Sequence, residues 1–306
     1  MGTMPDRLTE IATTAPTLRL PELKGFLKRP LDPRNYLDPR LCFEPQVEVV
    51  GATKLVKPPE DLERFFSGAP RIDQDRGPDG ERIVEAAGRI CYDSYGGRGR
   101  DSDDFHRHIQ EVGHGSVLTH VGLVLAISGI SRGLSQEHNR HHVGVGISQR
   151  STRYVDESVS AFVLPPAFII GETDDELRAD WKRQVQSRLV THHRSACALY
   201  DDLVGLPVHD AVQGTARRKA ARSAARSVLG IGLETRKIWS ANLRALLNYI
   251  EQRATDAADA EICRLALHIL LAVSKHYPRY CSGVEFMGRS DGAGLCLAPT
   301  SRFRAI

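Results

Sequence analysis

The stretch SANLRALLNYIEQRATDAADAEICRLALHILLAVSKHYP, residues 240–278, sets the first limit on the fold. Leu243, Leu246, Leu247 and Ile250 recur at helical spacing and share one side. Pro278 stops what reads as one or two helices. An apolar stripe of this kind needs a second layer to cover it. Upstream, residues 174–204 read as a long amphipathic helix and GTARRKAARSAARSVLG as a basic one. VEVVGATKLV and VGLVLAISGIS have the composition of strands. Many helices with a few strands grouped in the first half predict an α+β fold.

A chain of 306 residues is one large domain or two small ones. A formal net charge of only +3 means that any basic site is local. No apolar run is long enough for a membrane span, and the N-terminus lacks the apolar core of a secretory signal. The six cysteines are scattered without metal-like spacing, which points to a reduced, cytoplasmic protein. Residues 1–46 read as an N-terminal arm, 57–81 as a loop-rich link and 291–306 as a C-terminal tail. RIVEAAGRICYDS reads as a helix with Ile83, Ala86, Ala87 and Ile90 on one side. DDFHRHIQEVGHGSVLTH reads as a helix ending near Gly113, and SRGLSQEHNRHH as another, followed by a loop.

That loop is part of NRHHVGVGISQRSTRY, where Arg140, His141, His142, Arg150 and Arg153 alternate with small residues. Planar cationic forks among glycines suit a phosphate. GVGIS is not a dinucleotide fingerprint, because Gln149 stands where the third glycine belongs. His138, His141 and His142, with His114 and His120, invite a zinc reading, but no H-E-x-x-H accompanies them, so no metal is expected. Arg218, Arg222 and Arg226 share a helix face, which is more often solvated surface than site. Low net charge and the lack of interleaved aromatics argue against a nucleic-acid partner. Asn242 and Arg253, eleven residues apart, share a face that could equally point to solvent.

Together HGSVLTH (114–120), RHHVGVGISQRSTRY (140–154) and NLRALLNYIEQRATDAADAEI (242–262) resemble the motifs of flavin-dependent thymidylate synthases. RIVEAAGRICYDS and ARSVLGIGLETRKIWSAN resemble two further motifs of that family, and all stand in order over about residues 47–285. The resemblance implies a catalytic domain over 47–290: an α+β subunit with a small antiparallel sheet flanked by long helices. It implies a homotetramer with FAD and nucleotide bound where subunits meet. Methylenetetrahydrofolate would supply a one-carbon unit to C5 of a uridine monophosphate, and NADPH would recharge the flavin. No enzyme cysteine need attack the base.

By the same resemblance, Arg253 is the catalytic residue that contacts the uracil and favours its N3-ionised form. Ser151, Arg153 and Arg226 hold the nucleotide, chiefly by its phosphate. Gln149, Arg150 and Thr152 complete that loop, and Glu137 and Arg140 also face the nucleotide. Ser116, Arg140, His141, His142, Gln149, Asn242 and Asn248 match flavin-contacting positions. The chain departs from the pattern in several places. His142 replaces an arginine and so loses a permanent charge. Thr119 replaces a glutamate, Glu137 a glutamine, Cys91 a serine and Gly230 a proline. The loop to Ser151 is about one residue longer than the pattern. A shifted loop beside the sugar could admit a 2′-hydroxyl, as in the branch of polyoxin-type nucleoside-antibiotic pathways that methylates UMP. The expected activity is therefore C5-methylation of dUMP and also of UMP. The alternatives are a strict dUMP enzyme or a nucleotide-binding homologue that has lost catalysis.

Overall fold

In chain order the computed structural model, which describes residues 18–27, 41–57, 77–92, 94, 100–171, 174–209, 211–301 and 303, begins with β1 (Leu18–Arg19), α1 (Leu20–Leu27), β2 (Leu41–Cys42) and β3 (Gln46–Ala52). Then come α2 (Asp79–Cys91), α3 (Ser102–Val112), β4 (Gly122–Ser131), α4 (Arg132–His138), β5 (Val145–Gln149) and β6 (Phe162–Val163). The rest is α5 (Glu176–Gly205), α6 (Gly214–Ala225), β7 (Glu234–Asn242), α7 (Leu243–Arg253), α8 (Ala260–His276), β8 (Glu285–Gly288) and β9 (Leu295–Leu297). Most of the N-terminal arm and of the loop-rich link lies outside the described residues.

Four strands in the order β3-β4-β7-β5 form an antiparallel sheet. Alternation puts Leu123, Leu125 and Ile127 of β4 and Trp239 and Ala241 of β7 on the buried face. There α7 and α8 cover them with Leu243, Leu246, Leu247, Ile250, Leu265 and Ile269, all fully buried. Ile238, on the other face of the sheet, is exposed. A smaller antiparallel sheet, β1-β8-β9, and a parallel pair, β2-β6, flank this core. The architecture is α+β with small antiparallel sheets and long helices.

Local chemistry sets the ends of the helices. Gly113, at φ 73°, closes α3 in the left-handed region that glycine tolerates. Asn242 caps α7 by accepting from the amide of Ala245 at 2.9 Å. Ser131 caps α4 through Leu134 at 2.9 Å, and its own amide and hydroxyl donate to the Glu261 carboxylate at 2.8 and 2.7 Å. Thus the start of α8 anchors the start of α4, the helix that leads into the basic loop.

Three expectations need correction. On α2 the fully buried positions are Gly80, Glu81, Val84, Glu85, Gly88 and Arg89; Ile83 and Ala87 pack half-buried against the core, and Ile90 is exposed. The reason is ion pairing: Arg89 donates to Glu85 at 2.7 Å and Arg279 to Glu81 at 2.7 Å, so charged groups are satisfied inside. Second, strands are not confined to the first half, since β7 is central to the main sheet and β8 and β9 come last. Third, the helix read through His142 ends at His138, and the loop after it contains β5. The ladder offered by β7 supplies hydrogen bonds that the glycine-rich sequence does not advertise.

Two histidines lie inside the core. His106 stands 2.7 Å from the Tyr280 hydroxyl and His138 3.0 Å from that of Tyr249. Burial pushes His106 down to about 3 and His138 to about 2. A histidine depressed on folding binds its proton more readily in the unfolded chain. Stability is therefore complete above the unfolded value of about 6.5 and falls as pH drops from there toward the folded values. The melting temperature should fall between about pH 7 and about pH 5, and less steeply in His138→Asn. Identical slopes in the two proteins would remove His138 from this role.

Candidate functional site

Arg253 ends α7, where the helix dipole favours a cation. Its Nε donates to Nε2 of His141 at 2.8 Å, and its Nη1 lies 3.6 Å from the Glu137 carboxylate. Accepting at Nε2 makes His141 neutral, with its proton on Nδ1. Burial, reinforced by the charges of Arg253 and Arg140, pushes His141 down to about 4. The ring also packs edge-on to Tyr249, with centroids 4.8 Å apart. The residues meet because α4 and its following loop cross the end of α7. Arg140, His141, His142, Asn248, Gln252 and Arg253 line a cleft of about 390 Å³ there. The exposed Arg140, from the loop after α4, and the amides of Asn248 and Gln252 on α7 add polar groups to its lining, Gln252 donating to Asn248 Oδ1 at 3.0 Å. His142 is exposed and donates from Nδ1 to the carbonyl of Arg140 at 2.9 Å. The histidines that invited a zinc reading thus point to different partners, and among the described residues no group of three or more His, Cys, Asp or Glu side chains could hold a metal ion.

The loop after β5 is held from beneath. Gln149 accepts from Ser135 Oγ at 2.9 Å and donates to Thr235 Oγ1 at 3.3 Å. Arg150 turns inward: it donates to the fully buried Glu157 at 2.8 Å and to the carbonyl of Asp156 at 3.3 Å. Arg132 donates to the carbonyl of Arg150 at 2.8 Å. Desolvation raises the Glu157 carboxyl, against the opposing pull of Arg150 and Arg132. Ser151 Oγ accepts from the Arg153 amide at 3.3 Å, and the buried Thr152 hydroxyl accepts from Arg226 Nη1 at 3.3 Å. Arg222 straps the far side, donating to the Tyr154 carbonyl at 2.7 Å and to Asp156 at 3.1 Å. Arg153 and Arg226 are left exposed on the outside of this loop. Arg153 on the braced loop and Arg226, from the 3-10 turn that follows α6, supply two guanidinium groups suited to an oxyanion.

The sequence reading missed Arg132, Glu157 and the strapping role of Arg222. Arg222 had been grouped with solvated surface. A local pattern could not find them, since Arg222 reaches Asp156 across 66 residues.

Ser116 and Asn242 fall elsewhere. Ser116, in the 3-10 turn Gly115–His120, lines a separate pocket of about 410 Å³ with Tyr92, Phe105 and His114. The rings of Tyr92 and His114 stack there, with centroids 5.8 Å apart. The Oδ1 of Asn242 is committed to the cap of α7, and its side chain borders Gly144 and a third, open cleft. Gly144 has φ 72°, and a Cβ there would collide with the Asn242 amide. Gly144→Ala should therefore lose about 1–2 kcal/mol, from left-handed strain and a disturbed cap. Its denaturant midpoint should fall with an unchanged slope; an unchanged midpoint would show that the loop accommodates the methyl group.

No cysteine lies in the Arg253 cleft. Burial pushes the thiols of Cys263 and Cys281 up and that of Cys296 to about 12, so these are not ready thiolates. Among the described residues no helix is long and apolar enough to cross a membrane.

Comparison with known proteins bears on these clefts. Residues 72–279 match the family model described as thymidylate synthase complementing protein. The chain is 34% identical over 257 residues to a flavin-dependent thymidylate synthase of Mycobacteroides abscessus, covering 83% of this chain and 95% of that one. It is 37% identical over 229 residues to one of Mycobacterium marinum, covering 72% and 86%. With one of Mycolicibacterium vanbaalenii it shares 36% over 244 residues, covering 76% and 92%.

Proposed function

Because the chain belongs to the flavin-dependent thymidylate synthase family, we propose that it methylates C5 of a uridine 5′-monophosphate and accepts UMP as well as dUMP. The family's cofactor is FAD, with methylenetetrahydrofolate and NADPH as co-substrates. Reduced FAD, when bound, supplies the reducing equivalents that turn the transferred carbon into a methyl group.

The observation that carries this reading is the cleft around Arg253. It joins a fixed guanidinium to the amides of Asn248 and Gln252 and to the exposed Arg140. Such donors fit a diphosphate and the polar edge of a flavin. In this assignment Arg140, His141, His142 and Asn248 hold FAD. Arg253 donates to the uracil, stabilising negative charge as it develops without moving a proton. Arg153 and Arg226 bind the phosphate, and Ser151 and Thr152 shape the loop between them. Glu137 faces the base and Gln149 fixes the root of the loop. Arg150 acts through its ion pair with Glu157, by holding the loop.

Ser116 and Asn242 belong to the flavin site of another copy in this reading. Support comes from their separation from the Arg253 cleft within one chain, and from the uncovered sheet face around Ala126, Ser148 and Ile238. A homotetramer with shared sites accounts for both. Acceptance of UMP rests on the loop to Ser151 being about one residue longer than the family pattern, which would shift it beside the sugar. It would place the chain in the branch that serves nucleoside-antibiotic pathways.

The test is incubation with FAD, NADPH, methylenetetrahydrofolate and either dUMP or UMP, with the product mass recorded. A methyl gain on both nucleotides is expected. Gain on dUMP alone would reduce the enzyme to a strict thymidylate synthase, and gain on neither would leave a binding protein. A solution mass of a single chain would remove the shared site.

A further inference from the structure

The residues that follow Arg253 are held by the hairpin of β8 and β9. These strands lie beyond residues 72–279, the span that matches the family model, and pair through Phe286 with Leu297, Met287 with Cys296 and Gly288 with Leu295. The hairpin sends hydrogen bonds into the connection between α7 and α8. The Leu297 amide donates to the Ala254 carbonyl at 2.6 Å, and the Ser290 amide to Asp256 Oδ1 at 2.9 Å. Arg289 Nη1 donates to the Thr255 carbonyl at 3.1 Å, and its Nη2 to that of Ala258 at 2.9 Å. Its Nε and Nη2 also donate to Asp291, at 3.0 and 2.7 Å. The Arg289 side chain is only 4% exposed, and it does not line the Arg253 cleft.

The last carbonyls of a helix have no partner within it, so a helix end frays unless other groups hold it. α7 ends on Arg253, and the fully buried Ala254 and then Thr255 come next. His141 sets the plane of the Arg253 guanidinium, but a bond at the tip of a side chain leaves its backbone free. The pull of a cation on a nearby anion falls with distance, so a drifting helix end would weaken it. A guanidinium fork can reach two carbonyls and a carboxylate at once, which the single centre of an ammonium cannot do in the same geometry. We propose that Arg289 is a positioning residue for methyl transfer: by clamping Thr255 and Ala258 it fixes the end of α7, so that Arg253 meets the uracil at a set distance. The inference rests on the proposed placement of the uracil at Arg253 and adds what holds Arg253 there.

The experiment measures methyl transfer to dUMP by the FAD-loaded wild type, Arg289→Met, Asp291→Asn, Arg253→Ala and the double variant Arg253→Ala/Arg289→Met. Arg289→Met keeps the buried stem and loses the fork. Asp291→Asn removes the charge that orients the fork, at a side chain 45% exposed. In Arg289→Met, kcat should fall about 10- to 100-fold, the scale of a misplaced catalytic group, while KM for dUMP stays within about threefold. Asp291→Asn should show a smaller loss of the same kind. The double variant should match Arg253→Ala in kcat, because Arg289 acts through a side chain that is already gone. The second readout is the NMR shift of dUMP labelled with carbon-13 at C4, recorded against pH. Bound to the wild type, the base should ionise at lower pH than free dUMP; bound to Arg289→Met, it should ionise closer to free dUMP. Glu137, Arg140, His141, His142 and Tyr249, the titratable and charged groups around Arg253, are the same in both proteins. Unchanged kcat and titration in Arg289→Met, or a further drop in the double variant, would overturn the proposal while leaving Arg253 in its role. If Arg289→Met does not fold, Asp291→Asn decides by the same two measurements, and no change in either would overturn the proposal. Full activity of Arg253→Ala, or failure of the wild type to bind and methylate dUMP, would overturn the reading of Arg253 itself, and this inference with it.

Discussion

Arg253→Ala should lower methyl transfer by about 10²–10³-fold while the protein stays folded and keeps its flavin. The magnitude is that of removing one preorganised donor aimed at charge that grows in the transition state. The geometry makes Arg253 such a donor. Nε is fixed by His141 at 2.8 Å, so the guanidinium plane is set before substrate arrives. The side chain is only partly buried, and its loss opens no core cavity. Glu137 and His141 lose a partner, but Glu137 is exposed enough to be hydrated. His141 would titrate closer to its ordinary range, since Arg253 is among the charges that depress it. Flavin should remain because Arg140, His142 and Asn248 are untouched. Arg253→Lys should not restore activity, because an ammonium cannot keep the Nε contact to His141 and still offer a planar fork. Product mass and flavin absorbance, read on the same samples, check both halves. Near-normal turnover would remove Arg253 from its role. Loss of the flavin as well would make it a flavin-binding residue first.

The core of this fold was legible where apolar spacing and packing agree. Leu243, Leu246, Leu247 and Ile250 were assigned to one side of a helix, and all four are fully buried. Gly113 ends its helix as read, and Pro278 follows the end of α8. Two of the failures, at α2 and β7, share one cause, which is burial of charge. On α2 Ile83 packs against the core as expected but Ile90 is exposed, and Glu81 is buried because it reaches an arginine 198 positions away. β7 was not read as a strand because its inward face carries Thr235 and Lys237 along with Trp239 and Ala241. Lys237 is tolerated there because its Nζ donates to Asn139 at 2.9 Å and because desolvation, with Arg132, brings it down to about 8. The site shows the same division. The motif supplied residues that the fold does gather, such as His141 with Arg253 and Thr152 with Arg226. The loop's braces were not in the motif: Glu157 holds Arg150 from seven residues on, Arg132 from eighteen residues before it, and Arg222 reaches Asp156 across 66 residues.

Arg153→Ala and Arg226→Ala should each weaken nucleotide binding about 10- to 100-fold and change kcat little. Both side chains are exposed on the outside of the loop that Arg150, Glu157 and Arg222 brace. A charge-assisted bond is worth about 1.5–3 kcal/mol, which gives this range. A phosphate carries the same charge in ground and transition states, so the loss falls on binding rather than on the chemical step. The two positions differ in one respect. Arg226 also donates to the Thr152 hydroxyl at 3.3 Å, so its removal loosens the loop as well as the ligand. Arg226→Ala should therefore cost more than Arg153→Ala, and Thr152→Val should reproduce the difference without touching either charge. If both arginines hold one phosphate, the double variant should lose less than the two single losses combined, because the first removal already weakens the site that the second acts on. Titration with UMP and dUMP, in low and high salt, separates these outcomes: each lost phosphate contact should reduce the salt dependence. Unchanged affinity in both single variants would move the phosphate away from this loop.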